Sequence, residues 1–270
     1  MKNTGRRQNG ALAKLCQKLA RRMVLTMPLF MQDGVRLLYN SETNVEFCLR
    51  KLKEKGFNPR HVVDGGAYMG NWTRMVKRNF PGAGVLMIEP QQDKRPLLIQ
   101  VQNEFPGTVD YVQCLLGAEA KDAVPFFENE GGGSSVLREL THSPFKTTTV
   151  PMRTLDDLLR ERKITDAALL KLDLQGYELE ALRGGAVAMK NAEVILLEVS
   201  LVPFNESGPL LHEVVAFMQD RGFLVYDLSA LPRWIDSTLF QLDVFFVKEN
   251  SALRQVNFAA PGQPTAPRSA

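Results

Sequence analysis

HVVDGGAYMGNW occupies residues 61–72, and its reading decides the fold. Apolar residues run into Asp64, two glycines follow at once, and helical periodicity starts after Gly70. Small residues let a chain leave a strand through a tight turn and enter a helix, bringing backbone N–H groups toward a ligand. In open α/β sheets that edge is where ligands bind. The spacing is not GxGxxG, because Tyr68 stands where the middle glycine would be. No GK[ST] follows either, so a pyrophosphate cradle is not expected.

Outward from this turn, short apolar runs alternate with helical patterns. Strands are expected at His61–Asp64, Gly84–Glu89, Val109–Gln113, Ala168–Asp173, Val194–Val199, Phe223–Asp227 and Leu239–Val247. Helices are expected at Asn71–Asn79, Asp93–Glu104, Leu155–Glu161, Glu178–Arg183 and Leu210–Arg221. The strands before residue 200 are nearly continuous apolar runs, as when helices cover both faces of a parallel sheet. SALPRWIDST (229–238) is too short for a helical crossover, so the last two strands should pair antiparallel.

Composition is that of an ordinary globular chain: 270 residues, 44% hydrophobic and 23% charged. Three separated cysteines (Cys16, Cys48, Cys114) imply neither a disulfide framework nor a zinc cluster. A reducing, cytoplasmic setting is the expectation. No apolar run is long enough to span a membrane. The net charge of +3 hides an asymmetry. Residues 1–60 carry 13 Lys/Arg against 4 Asp/Glu, whereas residues 61–270 carry 20 against 26. An acidic body argues against a nucleic-acid surface.

The basic segment contains a helical stripe of Leu12, Leu15, Leu19 and Met23. It would pack on the main domain, serve assembly as a homo-oligomer, or bring residues 11–25 to an acidic membrane surface. A second helix is expected over Asn44–Lys55, closed by Gly56. Three parts follow: a basic helical extension (1–58), a main domain (59–250) with an insertion at 117–151, and a disordered tail (251–270). The insertion, with AVPFFEN, GGGSSVL and THSPFKTTTVP, reads as one or two short strands and a flexible loop.

Acids mark the strand ends. VLMIEPQ (85–91) closes on Glu89, 23 residues after Gly66, where an acid can accept both hydroxyls of a ribose. LLKLDLQGYELEALRGG (169–185) places Asp173 after the next long strand. Three carboxylates at 64, 89 and 173 would repel a pyrophosphate but suit a sulfonium and an amino group, favouring S-adenosylmethionine over a nicotinamide nucleotide. Lys171 has the opposite strand phase and is expected to point away from that cleft. Glu198, in VILLEVS (194–200), and His142, in the insertion, are further candidates for catalysis. His61 reads as structural, while His212 opens a helix and could also face the acceptor.

VVDGGAYMGNWT, MIEP, TLDDLL, LLKLDLQGYELEALRGG and VILLEVS, in this order, resemble the FkbM family of S-adenosylmethionine-dependent methyltransferases. The resemblance spans roughly residues 60–230. It implies a class I methyltransferase (Rossmann-like) α/β sheet of seven strands, the last antiparallel, with helices on both faces. It also implies O-methylation of a sugar, glycolipid or natural-product acceptor. By motif match, Asp64, Gly65, Gly66, Ala67, Tyr68 and Gly70 would form the cofactor loop, and Glu89 would hold the ribose. Cys114 and Leu115 would lie near the adenine, and Asp173 beside the methionine end and the acceptor. The family's loop usually reads like DVGANIG, so Gly65, Tyr68 and Met69 depart from it. Gln175 stands where an acid is usual. No metal is called for. A noncatalytic binding module that kept the cofactor fold, or a nicotinamide-dependent oxidoreductase, are the alternatives.

Overall fold

The computed structural model describes residues 45–256 apart from 130–132, 142–143, 230–231 and 234–235. The expected helix over Ala11–Met23, the membrane contact of residues 11–25, and His142 lie outside the described residues.

Helix α1 (45–54) precedes strand β1 (His61–Gly65), and α2 (Asn71–Asn79), β2 (Gly84–Ile88), α3 (Arg95–Glu104) and β3 (Val109–Val112) follow. Next come β4 (Leu115–Leu116), β5 (Lys121–Asn129), β6 (Phe145–Arg153), α4 (Leu155–Glu161) and β7 (Ala167–Leu172). The chain continues through α5 (Glu178–Arg183), α6 (Ala186–Asn191), β8 (Val194–Ser200), α7 (Leu211–Gln219), β9 (Phe223–Ser229) and β10 (Gln241–Lys248). Seven of these strands form one sheet in the order β3-β2-β1-β7-β8-β10-β9. Only β10 runs against its neighbours, pairing antiparallel with both β8 and β9. This is the class I methyltransferase sheet.

Alternation along the strands builds two cores. Val62, Met87, Leu169, Leu196 and Phe245 point to one face, where Leu49 and Leu52 of α1, Val76 of α2 and Leu98 of α3 cover them. Val63, Ile88, Leu170, Leu197 and Phe246 point to the other, under Leu158 of α4, Leu182 of α5, Met189 of α6 and Met218 of α7. Each fully buried leucine or phenylalanine contributes about 1.5–3 kcal/mol, so both faces hold the strand register. Helix α1 belongs to this core, since Leu49 and Leu52 are fully buried. The main domain therefore begins about a dozen residues earlier than the expected boundary at 59. At the other end Leu253, in a short turn over Ala252–Arg254, is buried as well, so order runs past the expected start of the tail.

The insertion departs most from expectation. Strands β5 and β6 are each nine residues long, pair antiparallel, and join β4 in a second sheet of order β4-β6-β5. Val124, Phe126, Val150, Met152 and Leu115 give it a small core of its own. Proline and clustered threonines in these strands obscure the alternation that reveals a strand. Helix α6, directly after Gly184–Gly185, was also not expected.

Candidate functional site

The site gathers where β1, β2, β7 and β8 end. Past Gly65 the chain takes left-handed conformations at Gly66 (φ 72°), Tyr68 (φ 49°) and Gly70 (φ 74°). A Cβ at Gly66 would stand 1.9 Å from the Asp173 carbonyl oxygen, so only glycine fits there. The tight turn is as expected, and its Gly66, Ala67 and Tyr68 N–H groups are engaged within the protein. Gly66 and Ala67 donate to the Ile88 carbonyl at 2.9 and 3.1 Å, and Tyr68 donates to Glu89 Oε2 at 2.8 Å. The loop is thereby folded back onto the end of β2.

Asp64 is fully buried beneath this loop. Its Oδ2 accepts from Thr73 Oγ1 at 2.7 Å, and its Oδ1 is 3.3 Å from Lys171 Nζ. Two expectations change here. Asp64 anchors the loop rather than lining the cleft. Lys171 faces the site: Asp64 and Lys171 are register partners on adjacent parallel strands, so their side chains share a face. The same ammonium is 3.6 Å from Asp173 Oδ2 and donates to the Gly66 carbonyl at 2.8 Å. Residues two apart on a strand share a face, so alternation itself puts Lys171 on the side of Asp173, and the expected opposite phase is corrected here.

Glu89 follows β2 and is 4% exposed. Its two oxygens accept from the Tyr68 and Gln91 N–H groups, at 2.8 and 3.0 Å. Burial pushes its carboxyl up to about 7 despite these hydrogen bonds. Beside it opens a cleft of about 120 Å³ lined by Gly66, Tyr68, Ile88, Cys114, Leu115 and Phe126, among others. The inserted sheet roofs this cleft. Gln91 Nε2 donates to Ser134 Oγ at 3.0 Å, and Ser135 Oγ donates to the Gln175 carbonyl at 2.9 Å. Ser134, Ser135 and Gln91 were missed in the sequence, which carries no local signal for a contact spanning more than forty residues. Lys94 Nζ sits 4.8 Å from the Tyr68 ring centroid, fixing that ring at the mouth.

Asp173, with a side chain 35% exposed, is held from several sides. Its N–H donates to the Gly65 carbonyl at 3.1 Å, and its Oδ1 accepts from Gln175 Nε2 at 2.9 Å. The Gln175 amide also donates to Glu198, which accepts from Gln241 Nε2 at 3.2 Å. Burial first, then the charges of Asp173 and Asp243, hold the Glu198 carboxyl well above the usual range. Asp243 on β10 is the register partner of Glu198 on β8. Burial and Asp173 push its carboxyl up to about 7, against the pull of Lys171. Glu178 is buried too, pushed up to about 7 by desolvation. It accepts from the Leu174 and Gly176 N–H groups and holds the loop that carries Asp173. Asp243 and Glu178 were missed, although an acid inside QLDVFFV was itself a signal, since carboxylates are seldom buried without a reason.

A second cavity lies on the α2 side, lined by Tyr68, Asn71, Trp72, Lys171, Glu198 and Asp243. Both cavities share Gly66, Tyr68 and Asp173. The structure thus brings together Gly65, Gly66, Tyr68, Glu89, Cys114, Leu115, Asp173 and Glu198. Ala67 lines the second cavity, and Gly70 caps α2. His61 lies at the opposite end of β1 beside Asp166, and His212 lies on α7. Among the described residues no group of three His, Cys, Asp or Glu is placed to hold a metal ion. No helix among them is long and apolar enough to cross a membrane.

The donor set fits S-adenosylmethionine. An acid with spare lone pairs at the β2 end suits a cis-diol, an apolar wall suits a planar base, and Asp173 suits an ammonium. Residues 64–225 match the Methyltransferase FkbM domain. Methyltransferase sdnD of Sordaria araneosa is 26% identical over 192 residues, covering 60% of this chain and 73% of that protein. Hexuronic acid methyltransferase AglP of Haloferax volcanii is 22% identical over 186 residues, covering 66% and 74%. The crystal structure of Methyltransferase FkbM from Methylobacillus flagellatus superposes with a TM-score of 0.48 at 16% identity, covering 70% of this chain. This chain spans 43% of the length of that one.

Proposed function

This chain belongs to the FkbM family of S-adenosylmethionine-dependent methyltransferases, and on that premise we propose that it methylates a hydroxyl of a sugar, glycolipid or natural-product acceptor. The observation that carries the reading is the meeting of two cavities at Asp173, one suited to a nucleoside and one to an acceptor. The relative from Haloferax volcanii, named for a hexuronic acid, supports a sugar ring as the acceptor scaffold, not the carboxylate which that ring carries there.

In this reading Glu89 accepts the ribose hydroxyls, while Cys114, Leu115 and Phe126 flank the adenine. Bound S-adenosylmethionine supplies a methyl group whose bond to sulfur breaks as its bond to the acceptor oxygen forms. Asp173 orients the acceptor hydroxyl and takes the proton that it loses. Lys171 and Gln175 keep the Asp173 carboxylate in position from two directions. The inserted sheet, pinned at Ser134 and Ser135, excludes water from the cleft. Buried free thiols at Cys48 and Cys114 support a cytoplasmic location. Contact of residues 11–25 with a membrane, and self-association, are tested by vesicle cosedimentation and solution mass with and without residues 1–25.

Titration calorimetry with S-adenosylhomocysteine and with NAD is the first test. Heat with the former alone supports the reading, and heat with NAD alone would reverse it. A labelled-methyl assay against a panel of hydroxylated acceptors then tests Asp173→Asn. That variant should lower turnover by about 10²-fold or more, a larger loss than it causes in cofactor affinity. Equal loss in both would make Asp173 a cofactor-holding residue only.

A further inference from the structure

We propose that the cavity between α2 and the ends of β7, β8 and β10 is an acceptor subsite for neutral or amine-bearing polyols and is closed to carboxylate-bearing ones. The inference rests on the methyl-transfer reading above and adds the charge class of the acceptor. The juxtaposition behind it is Glu198 and Asp243, facing each other across the β8–β10 ladder, with Asp173 at the cavity mouth.

The charged side chains in the lining are Lys171, Asp173, Glu198 and Asp243. Lys171 is the single cation among them, and its ammonium is already engaged. It lies 3.3 Å from Asp64 and 3.6 Å from Asp173, and it donates to the carbonyls of Gly66 and Gly65 at 2.8 and 3.3 Å. The two amides beside the acids, Gln175 and Gln241, already donate to Glu198. At pH 8, where Asp243 is ionised, an acceptor carboxylate entering here would find no free cation to neutralise it and would add charge beside that buried acid.

Hydrogen-bond donors find the opposite. The backbone of Asp243 is held in the β8–β10–β9 ladders, but its carboxylate accepts no hydrogen bond among the described residues and is available to a hydroxyl or ammonium. Trp72 Nε1 is buried and has no partner among the described residues, although its ring lines the cavity. A buried indole N–H without an acceptor is costly. Trp72, Met69 and Leu196 offer an apolar wall against which a sugar ring can lie. A molecule rich in O–H or N–H donors supplies the partner that the Asp243 carboxylate lacks.

The test uses the full chain saturated with S-adenosylhomocysteine and three probes: glucosamine, methyl α-glucoside and glucuronate. Saturation-transfer NMR reads their dissociation constants. Glucosamine and methyl α-glucoside should bind at least about tenfold more tightly than glucuronate. The isosteric Glu198→Gln/Asp243→Asn double variant should abolish that preference. Asp243→Asn should leave the S-adenosylhomocysteine constant within about twofold. Equal or tighter binding of glucuronate, or binding of none of the three, overturns the proposal. So does a weakened S-adenosylhomocysteine constant in Asp243→Asn, which would give the cavity to the cofactor. Failure of S-adenosylhomocysteine to bind the unaltered chain would sink the methyl-transfer reading itself, and shows before any sugar is added.

Discussion

The side-chain amide of Gln175 donates to Asp173 Oδ1 at 2.9 Å, from a residue held in the left-handed region at φ 54°. The same amide bonds Glu198, so one neutral donor sits between two carboxylates. An acid is usual at this position of the family's motif. Here an amide is the compatible choice, because a third carboxylate would remove the donor that Asp173 and Glu198 share.

Gln175→Glu should therefore be destabilising in a pH-dependent way. At pH 8 the new charge repels Asp173 and Glu198, lowering stability by about 1–3 kcal/mol. At pH 6, where the cluster can retain protons, the loss should be smaller. Thermal unfolding at the two pH values checks this, and equal losses would show that charge is not the cause.

Glu89→Ala should raise the cofactor dissociation constant by about tenfold or more, since two charge-assisted hydrogen bonds to a diol are removed. The loop also loses the acceptor for the Tyr68 and Gln91 N–H groups. Calorimetry with S-adenosylhomocysteine measures the effect, and an unchanged constant would remove Glu89 from the ribose site.

Lys171→Met should cost about 3–5 kcal/mol, because it leaves Asp64 charged and unpaired at zero exposure. Adding Asp64→Asn should recover a substantial part, since the orphaned charge then disappears. Urea unfolding of the four chains of this cycle gives the coupling energy. Strict additivity would mean that the pair does not hold the loop to β7.

Stability should fall as pH rises from 6 to 8. Glu89, Glu178 and Asp243 have carboxyls pushed up to about 7 by burial, so the folded chain keeps protons that an unfolded chain has already lost. Such groups contribute stability that is complete below the unfolded carboxylate value of about 4 and is lost as pH passes through their folded value. Each kcal/mol lost should lower the unfolding midpoint by about 2–4 °C. Asp243→Asn should flatten the dependence, and a midpoint that rises from pH 6 to 8 would contradict the assignment.

Much of this architecture was legible in local pattern. Asn71–Asn79, Leu155–Glu161 and Glu178–Arg183 form helices with the bounds that periodicity predicts, and all seven strands of the main sheet appear where apolar runs place them. Glu89 and Asp173 were legible for the same reason: an acid that ends an apolar run lies at a strand tip. These features depend on residues within a few positions of one another, and backbone geometry enforces them wherever the run occurs.

What only the tertiary structure decided depends on which strands become neighbours. Register against β7 made Asp64 the partner of Lys171 and buried it, turning an expected ligand contact into an anchor. Reversal of β10 brought Asp243 opposite Glu198, and the inserted sheet carried Ser134 to Gln91. A carboxylate's role follows from the charges, donors and water around it, and those arrive from segments distant in the chain through the packing of two cores. Sequence by itself placed the acids on the rim; packing decided which of them face a ligand and which hold the rim together.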